Sequence, residues 1–122
     1  MITAKRPAES DAKEVVLAFL KALNDEDFDT AKKYLSDDMK FEGVLGTRDG
    51  AKVYIADMSS MKFKYGIKKA FADGDDVCIL YDIAMSGQTI FSCGWYCVGG
   101  GQISSIRVVF DPRPLLEQQR KK

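Results

Sequence analysis

The sequence predicts an α+β domain: helices first, then a largely antiparallel sheet that they cover on one face. Two observations carry this. In the first half, apolar residues recur at helical spacing, as at Val16, Phe19, Leu20 and Leu23. In the second half, strand-like runs are separated by the turn signals Asp73-Gly74-Asp75-Asp76, Ser86-Gly87-Gln88 and Gly99-Gly100-Gly101. Helices followed by consecutive hairpins form a segregated α+β architecture.

Taken in order, residues 1–9 read as a loose start. Pro7, Glu9, Ser10 and Asp11 supply start signals and negative charge for the first helix. Asn24-Asp25-Glu26-Asp27 breaks it and caps a second, shorter helix with Phe28, Ala31, Tyr34 and Leu35 inward. Ser36-Asp37-Asp38 ends that helix, Met39 to Leu45 makes a short strand, and Gly46 to Gly50 is a turn. A third helix puts Ala51, Tyr54, Ile55 and Met58 on one face. Strands follow over Lys62–Ala72, Val77–Met85, Thr89–Val98 and Gln102–Phe110. Asp111-Pro112-Arg113-Pro114 stops the sheet, because proline cannot donate to the ladder. The domain spans residues 10–116, and residues 117–122 read as a basic tail.

The chain has 122 residues, enough for one domain. Its 18 basic and 18 acidic side chains cancel, so no net field draws it to nucleic acid or an anionic membrane. No stretch approaches the roughly 20 apolar residues of a membrane span. Histidine is absent from the sequence. That removes Ser-His-Asp and Cys-His nucleophiles, histidine-held zinc and histidine acid–base chemistry, and no metal or cofactor is expected. The cysteines are Cys78, Cys93 and Cys97. Cys93 and Cys97, four apart on one strand, lie ~13 Å from each other, too far for a disulfide. They read as reduced thiols in a cytoplasmic protein.

The late strands are apolar on both sides. Phe91, Cys93, Trp95 and Cys97 share one face of their strand, and Ile90, Ser92, Gly94, Tyr96 and Val98 the other. One face must meet the helices. The other is expected to meet a second copy of the chain in a two-fold dimer.

The element order resembles the NTF2-like (SnoaL-like, cystatin-like cone) superfamily, and within it the ketosteroid isomerases. Their helix-helix-strand segment lies on Val15–Gly46 without a gap. Val15-Val16, Ala22-Leu23-Asn24, Asp27, Asp29, Asp37-Asp38, Glu42 and Gly46 carry that match. A second stretch, Ser92–Phe110, includes Gly99, Gly101, Ser105, Arg107 and Phe110. The resemblance implies a cone-shaped, curved antiparallel or mixed sheet with about three N-terminal helices on its concave face. It does not imply the isomerase reaction. The column of the first oxyanion-donating tyrosine holds Phe19, that of the general base holds Gly43 beside Glu42, and that of the protonated aspartic donor holds Cys93.

Three readings of function follow. In the first, a mostly apolar cavity lined by Phe19, Tyr54, Met58, Phe91, Cys93, Trp95, Ile106 and Phe110 binds a small hydrophobic molecule. In the second, Asp82 or Glu42 serves as the carboxylate base of an isomerase, cyclase or hydrolase, with a tyrosine as donor. Asp82 stands out because it lies mid-strand among apolar residues. Asp57, Asp82, Arg107 and Asp111 are the raw material for an epoxide hydrolase-like Asp-Arg-Asp set. In the third, the sheet face binds a protein partner.

Overall fold

A computed structural model describes residues 9–120, with side chains from 12 to 117. Residues 1–8 of the expected loose start, and Lys121-Lys122 of the expected tail, lie outside the described residues. Helix α1 (Glu9–Asn24) comes first, then α2 (Phe28–Lys33), strands β1 (Leu35–Gly43) and β2 (Gly46–Asp49), and helix α3 (Ala51–Met61). Strands β3 (Lys64–Asp73), β4 (Asp76–Met85), β5 (Gln88–Gly99) and β6 (Gln102–Phe110) follow, and α4 (Arg113–Arg120) ends the described chain.

The strands form one mixed sheet in the order β2-β1-β6-β5-β4-β3. Strands β1 and β6 run parallel, and every other neighbouring pair is antiparallel. Helix α1 lies across the inner face. Val16, Phe19, Leu20 and Leu23, one stripe of its surface, are all buried there. Asp27 caps α2 by accepting a hydrogen bond from the Thr30 backbone N–H at 3.3 Å. The Asn24 side chain donates to the Tyr65 carbonyl (2.9 Å) and accepts from the Tyr65 N–H (2.7 Å), which ties the end of α1 to the start of β3.

Three boundaries differ from the sequence reading. Ser36-Asp37-Asp38 belongs to β1 rather than to a helix end, because buried Leu35 already pairs with Ile103 of β6. Thr47-Arg48-Asp49 is part of β2 rather than a turn, and the hairpin bends at Val44-Leu45. A short helix, α4, stands where the sheet was expected to run out into a tail.

The largest difference is the phase of β5. The turn between β4 and β5 has two residues, Ser86 (φ 50°) and Gly87 (φ 80°), so Met85 pairs with Gln88. Positive φ at both central residues belongs to the type I′ turn that matches strand twist. A three-residue turn ending at Gln88 would pair Met85 with Thr89 and invert every side chain of β5. With the two-residue turn, Ile83 faces Ile90, Tyr81 faces Ser92, Ile79 faces Gly94 and Val77 faces Tyr96. Residues opposite one another share a face. Ile90, Ser92, Gly94, Tyr96 and Val98 therefore point toward the helices. Phe91, Cys93, Trp95 and Cys97 point away, with Phe91 57% and Trp95 46% exposed.

Candidate functional site

Between α3 and the inner face of the sheet lies a hollow of about 600 Å³. Its deep walls are buried side chains: Tyr54 and Met58 from α3, Tyr65 from β3, Tyr81 and Ile83 from β4, Tyr96 from β5 and Val108 from β6. Its lining also includes exposed residues, which mark the mouth. These are Val44 and Leu45 in the β1–β2 turn, Met61 at the end of α3, and Leu116 in α4. Gln88 donates from Nε2 to the Pro114 carbonyl at 3.2 Å and so holds the start of α4 beside this opening.

Four tyrosines from four elements converge here. The hydroxyls of Tyr81 and Tyr96 are hydrogen-bonded at 2.7 Å. Tyr65 donates to Sδ of Met58 at 3.7 Å, and its ring lies 5.4 Å from that of Tyr81. Phe19 sits below them, with its ring 6.5 Å from both Tyr54 and Tyr96. The Phe41 ring of β1 packs at a tilt against Tyr54, 5.1 Å between centroids. The floor is thus aromatic carbon with a few hydroxyls. Burial raises the pKa of Tyr54, Tyr65, Tyr81 and Tyr96 well above the ordinary phenol value, so the floor is uncharged at neutral pH.

Among the described residues, Asp57 is the only acid lining the hollow, and it projects from α3. Arg48 of β2 donates to it through Nε, while its NH1 donates to the Thr47 carbonyl at 2.8 Å. Both side chains of this pair remain partly exposed. The charges in the lining therefore sit together near water and leave the interior apolar.

Of the residues expected to line a cavity, Tyr54, Met58 and Phe110 do so. Phe19 and Ile106 are buried in the core beside it. Phe91, Cys93 and Trp95 do not, because the phase of β5 turns them outward. Trp95 Nε1 donates to Asp76 Oδ1 at 2.9 Å, and the Arg107 guanidinium lies 5.5 Å from the Trp95 ring. Sγ of Cys93 lies 3.4 Å from Sγ of Cys78. Burial, then its contact with Cys78, pushes the Cys93 thiol up to about 11, which opposes a thiolate nucleophile.

The two carboxylates proposed as bases also lie on the outer face. Asp82 is opposite Phe91, 3.4 Å from Lys68 Nζ. Glu42 accepts from Arg107 Nε at 2.9 Å, beside a shallow outer groove of about 250 Å³ that Trp95 also lines. Asp111 holds the start of α4, accepting from the Arg113 N–H at 3.0 Å and from its guanidinium. Asp57, Asp82, Arg107 and Asp111 are not brought together. The deep-wall residues Tyr65, Tyr81, Ile83, Tyr96 and Val108 were not in the expected lining, and the alternation of β4 carried through a two-residue turn would have found Tyr96.

The buried phenols make folding sensitive to alkali. Their folded pKa values lie above the unfolded value of about 10, so their contribution is intact below pH ~10 and is lost as the pH rises beyond it. Phenolate absorbance from these side chains should therefore emerge together with loss of the circular dichroism of the fold. Ionisation of all the tyrosines near pH ~10, with the dichroism unchanged, would contradict the burial.

A family model described as a SnoaL-like domain matches residues 16–106. No curated protein matches significantly. An NTF2-like protein of unknown function from Cytophaga hutchinsonii is 45% identical and superposes with a TM-score of 0.85, the match covering 95% of this chain and 99% of that one. An LEH-like epoxide hydrolase from M. tuberculosis is 28% identical, with a TM-score of 0.79 and coverage of 91% and 90%. A cystatin-fold protein from Novosphingobium aromaticivorans, 19% identical with a TM-score of 0.71 over 80% of this chain and 96% of that one, shares the fold. The chain belongs to the SnoaL-like family of NTF2-like proteins.

Proposed function

We propose that this domain binds a small, mostly apolar, uncharged molecule in the hollow between α3 and the sheet. The observation that carries this reading is the chemistry of the walls: aromatic and aliphatic side chains throughout, with the one lining acid held by Arg48 near the mouth. A volume of about 600 Å³ is that of a ligand pocket. Apolar area removed from water supplies ~25 cal/mol per Å², enough for useful affinity with few polar contacts. A carboxylate base working with a tyrosine donor is less well supported, since Asp82 and Glu42 share no cavity with the tyrosine hydroxyls. No described helix is long and apolar enough to cross a membrane. Three free thiols, two of them in contact yet unbonded, fit a reducing, cytoplasmic setting.

A separate observation favours self-association through the outer sheet face. Phe71, Phe91, Trp95 and Val109 are all exposed on it and offer roughly 400 Å² of largely apolar surface. That is about half of the ~800 Å² a stable interface takes from each partner. Two ion pairs there, Lys68 with Asp82 and Arg107 with Glu42, reduce the like-charge repulsion between two copies.

Two outcomes test these readings. The neutral dye N-phenyl-1-naphthylamine should brighten on binding, and Val108→Phe, which fills the hollow, should weaken it tenfold or more. Equal binding by a folded Val108→Phe protein would contradict the cavity reading. Phe91→Lys should halve the mass seen in sedimentation velocity without changing dye affinity; a wild-type monomer at all concentrations would contradict the dimer.

A further inference from the structure

The Tyr81–Tyr96 pair contains an imbalance of protons. Two phenols carry two hydrogens, and the 2.7 Å bond between them uses one. Either oxygen can be the donor. Tyr81 is 0% exposed, and its hydroxyl is boxed in by the backbone of β5 at Gly94. A Cβ on Gly94 would stand 2.2 Å from the Tyr81 Oη and 2.7 Å from Cε1 of the Tyr96 ring, so only glycine admits this arrangement. Among the described residues, Tyr96 is the only hydrogen-bond partner of that hydroxyl. Donation from Tyr81, which lies against Gly94, to Tyr96 is the arrangement that spends the proton with no other acceptor.

Tyr96 then keeps its own proton. It lines the hollow, retains 2% exposure, and its hydroxyl has no second partner among the described residues. Both tyrosines line the apolar pocket, so their pair holds one spare O–H donor beside it. No cation accompanies it. The one basic side chain in the lining is Arg48, paired with Asp57 near the mouth. An anionic group at Tyr96 would be stripped of water with no countercharge.

We propose, on the reading that the hollow binds a ligand, that Tyr96 is its buried polar anchor and selects molecules whose inner end is a neutral carbonyl or ether oxygen. Hydrocarbons of the same shape lose the hydrogen bond, and carboxylates pay for dehydration. Tyr96 is the ligand-touching residue; Tyr81 and Gly94 are positioning residues.

The test is displacement of N-phenyl-1-naphthylamine from the full chain by three probes of one length: 2-nonanone, its olefin isostere 2-methyl-1-nonene, and nonanoate. In the wild type the ketone should outcompete the olefin, and nonanoate should bind at least tenfold more weakly than the ketone. Tyr96→Phe should weaken the ketone roughly fivefold, the worth of one hydrogen bond, and leave the olefin unchanged. Tyr81→Phe leaves the Tyr96 donor in place but unsteered, and should cost the ketone less than Tyr96→Phe does. Ketone and olefin changing equally in Tyr96→Phe, or nonanoate binding as well as the ketone, would overturn this assignment while leaving the cavity reading intact. Failure of the dye to bind the wild type would overturn both.

Discussion

The two-residue turn at Ser86-Gly87 is the constraint from which the rest of the site follows. It pairs Met85 with Gln88, and through that register it decides which side of β5 the helices cover. One residue more would exchange the two faces completely. With the register as it is, Tyr96 stands beside Tyr81 on the inner face, and Gly94 supplies the gap that the Tyr81 ring needs. Neighbouring β6 carries the same choice onward, because Gly94 pairs with Val108 and Tyr96 with Ile106, placing both β6 residues inside.

The same choice sorts the charges. Glu42 and Asp82, the acids weighed as bases, fall on the outer face and find basic partners there. The inner face receives tyrosines instead, which keep their protons because burial disfavours the phenolate. On the proposed reading, a ligand in such a pocket would be held by excluded water and by a small number of directed hydrogen bonds. The pocket's shape comes from Phe19 and Phe41, which brace Tyr54 and Tyr96 from below and from the side.

Much of this was legible in the residues themselves. The apolar spacing of Val16, Phe19, Leu20 and Leu23 locates α1, and the motif from Val15 to Gly46 points to the family to which the chain belongs. The inward positions of Tyr54 and Met58 follow from one helical face. The β5 wall did not follow, for a physical reason. Phe91, Cys93, Trp95 and Cys97 are as apolar as Ile90, Tyr96 and Val98, so hydrophobicity alone cannot tell the two faces apart. Only turn length breaks the tie. The helix α4 was obscured by Pro112 and Pro114, which stop a strand but are tolerated at the first turn of a helix. The acids were the least legible, since whether a carboxylate faces a pocket depends on register rather than on its neighbours in sequence.

Two unlike surfaces therefore share one sheet: an inner one enclosing an uncharged hollow, and an outer one displaying Phe71, Phe91, Trp95 and Val109 beside neutralised ion pairs. On the proposed reading, guests occupy the inner one. Isotope-filtered nuclear Overhauser contacts between labelled protein and bound N-phenyl-1-naphthylamine test it directly. A dye seated in the hollow shows contacts to the Tyr54 and Tyr96 rings and the Val108 methyls. Contacts to the Trp95 indole and Phe91, with none to Tyr96, would contradict it.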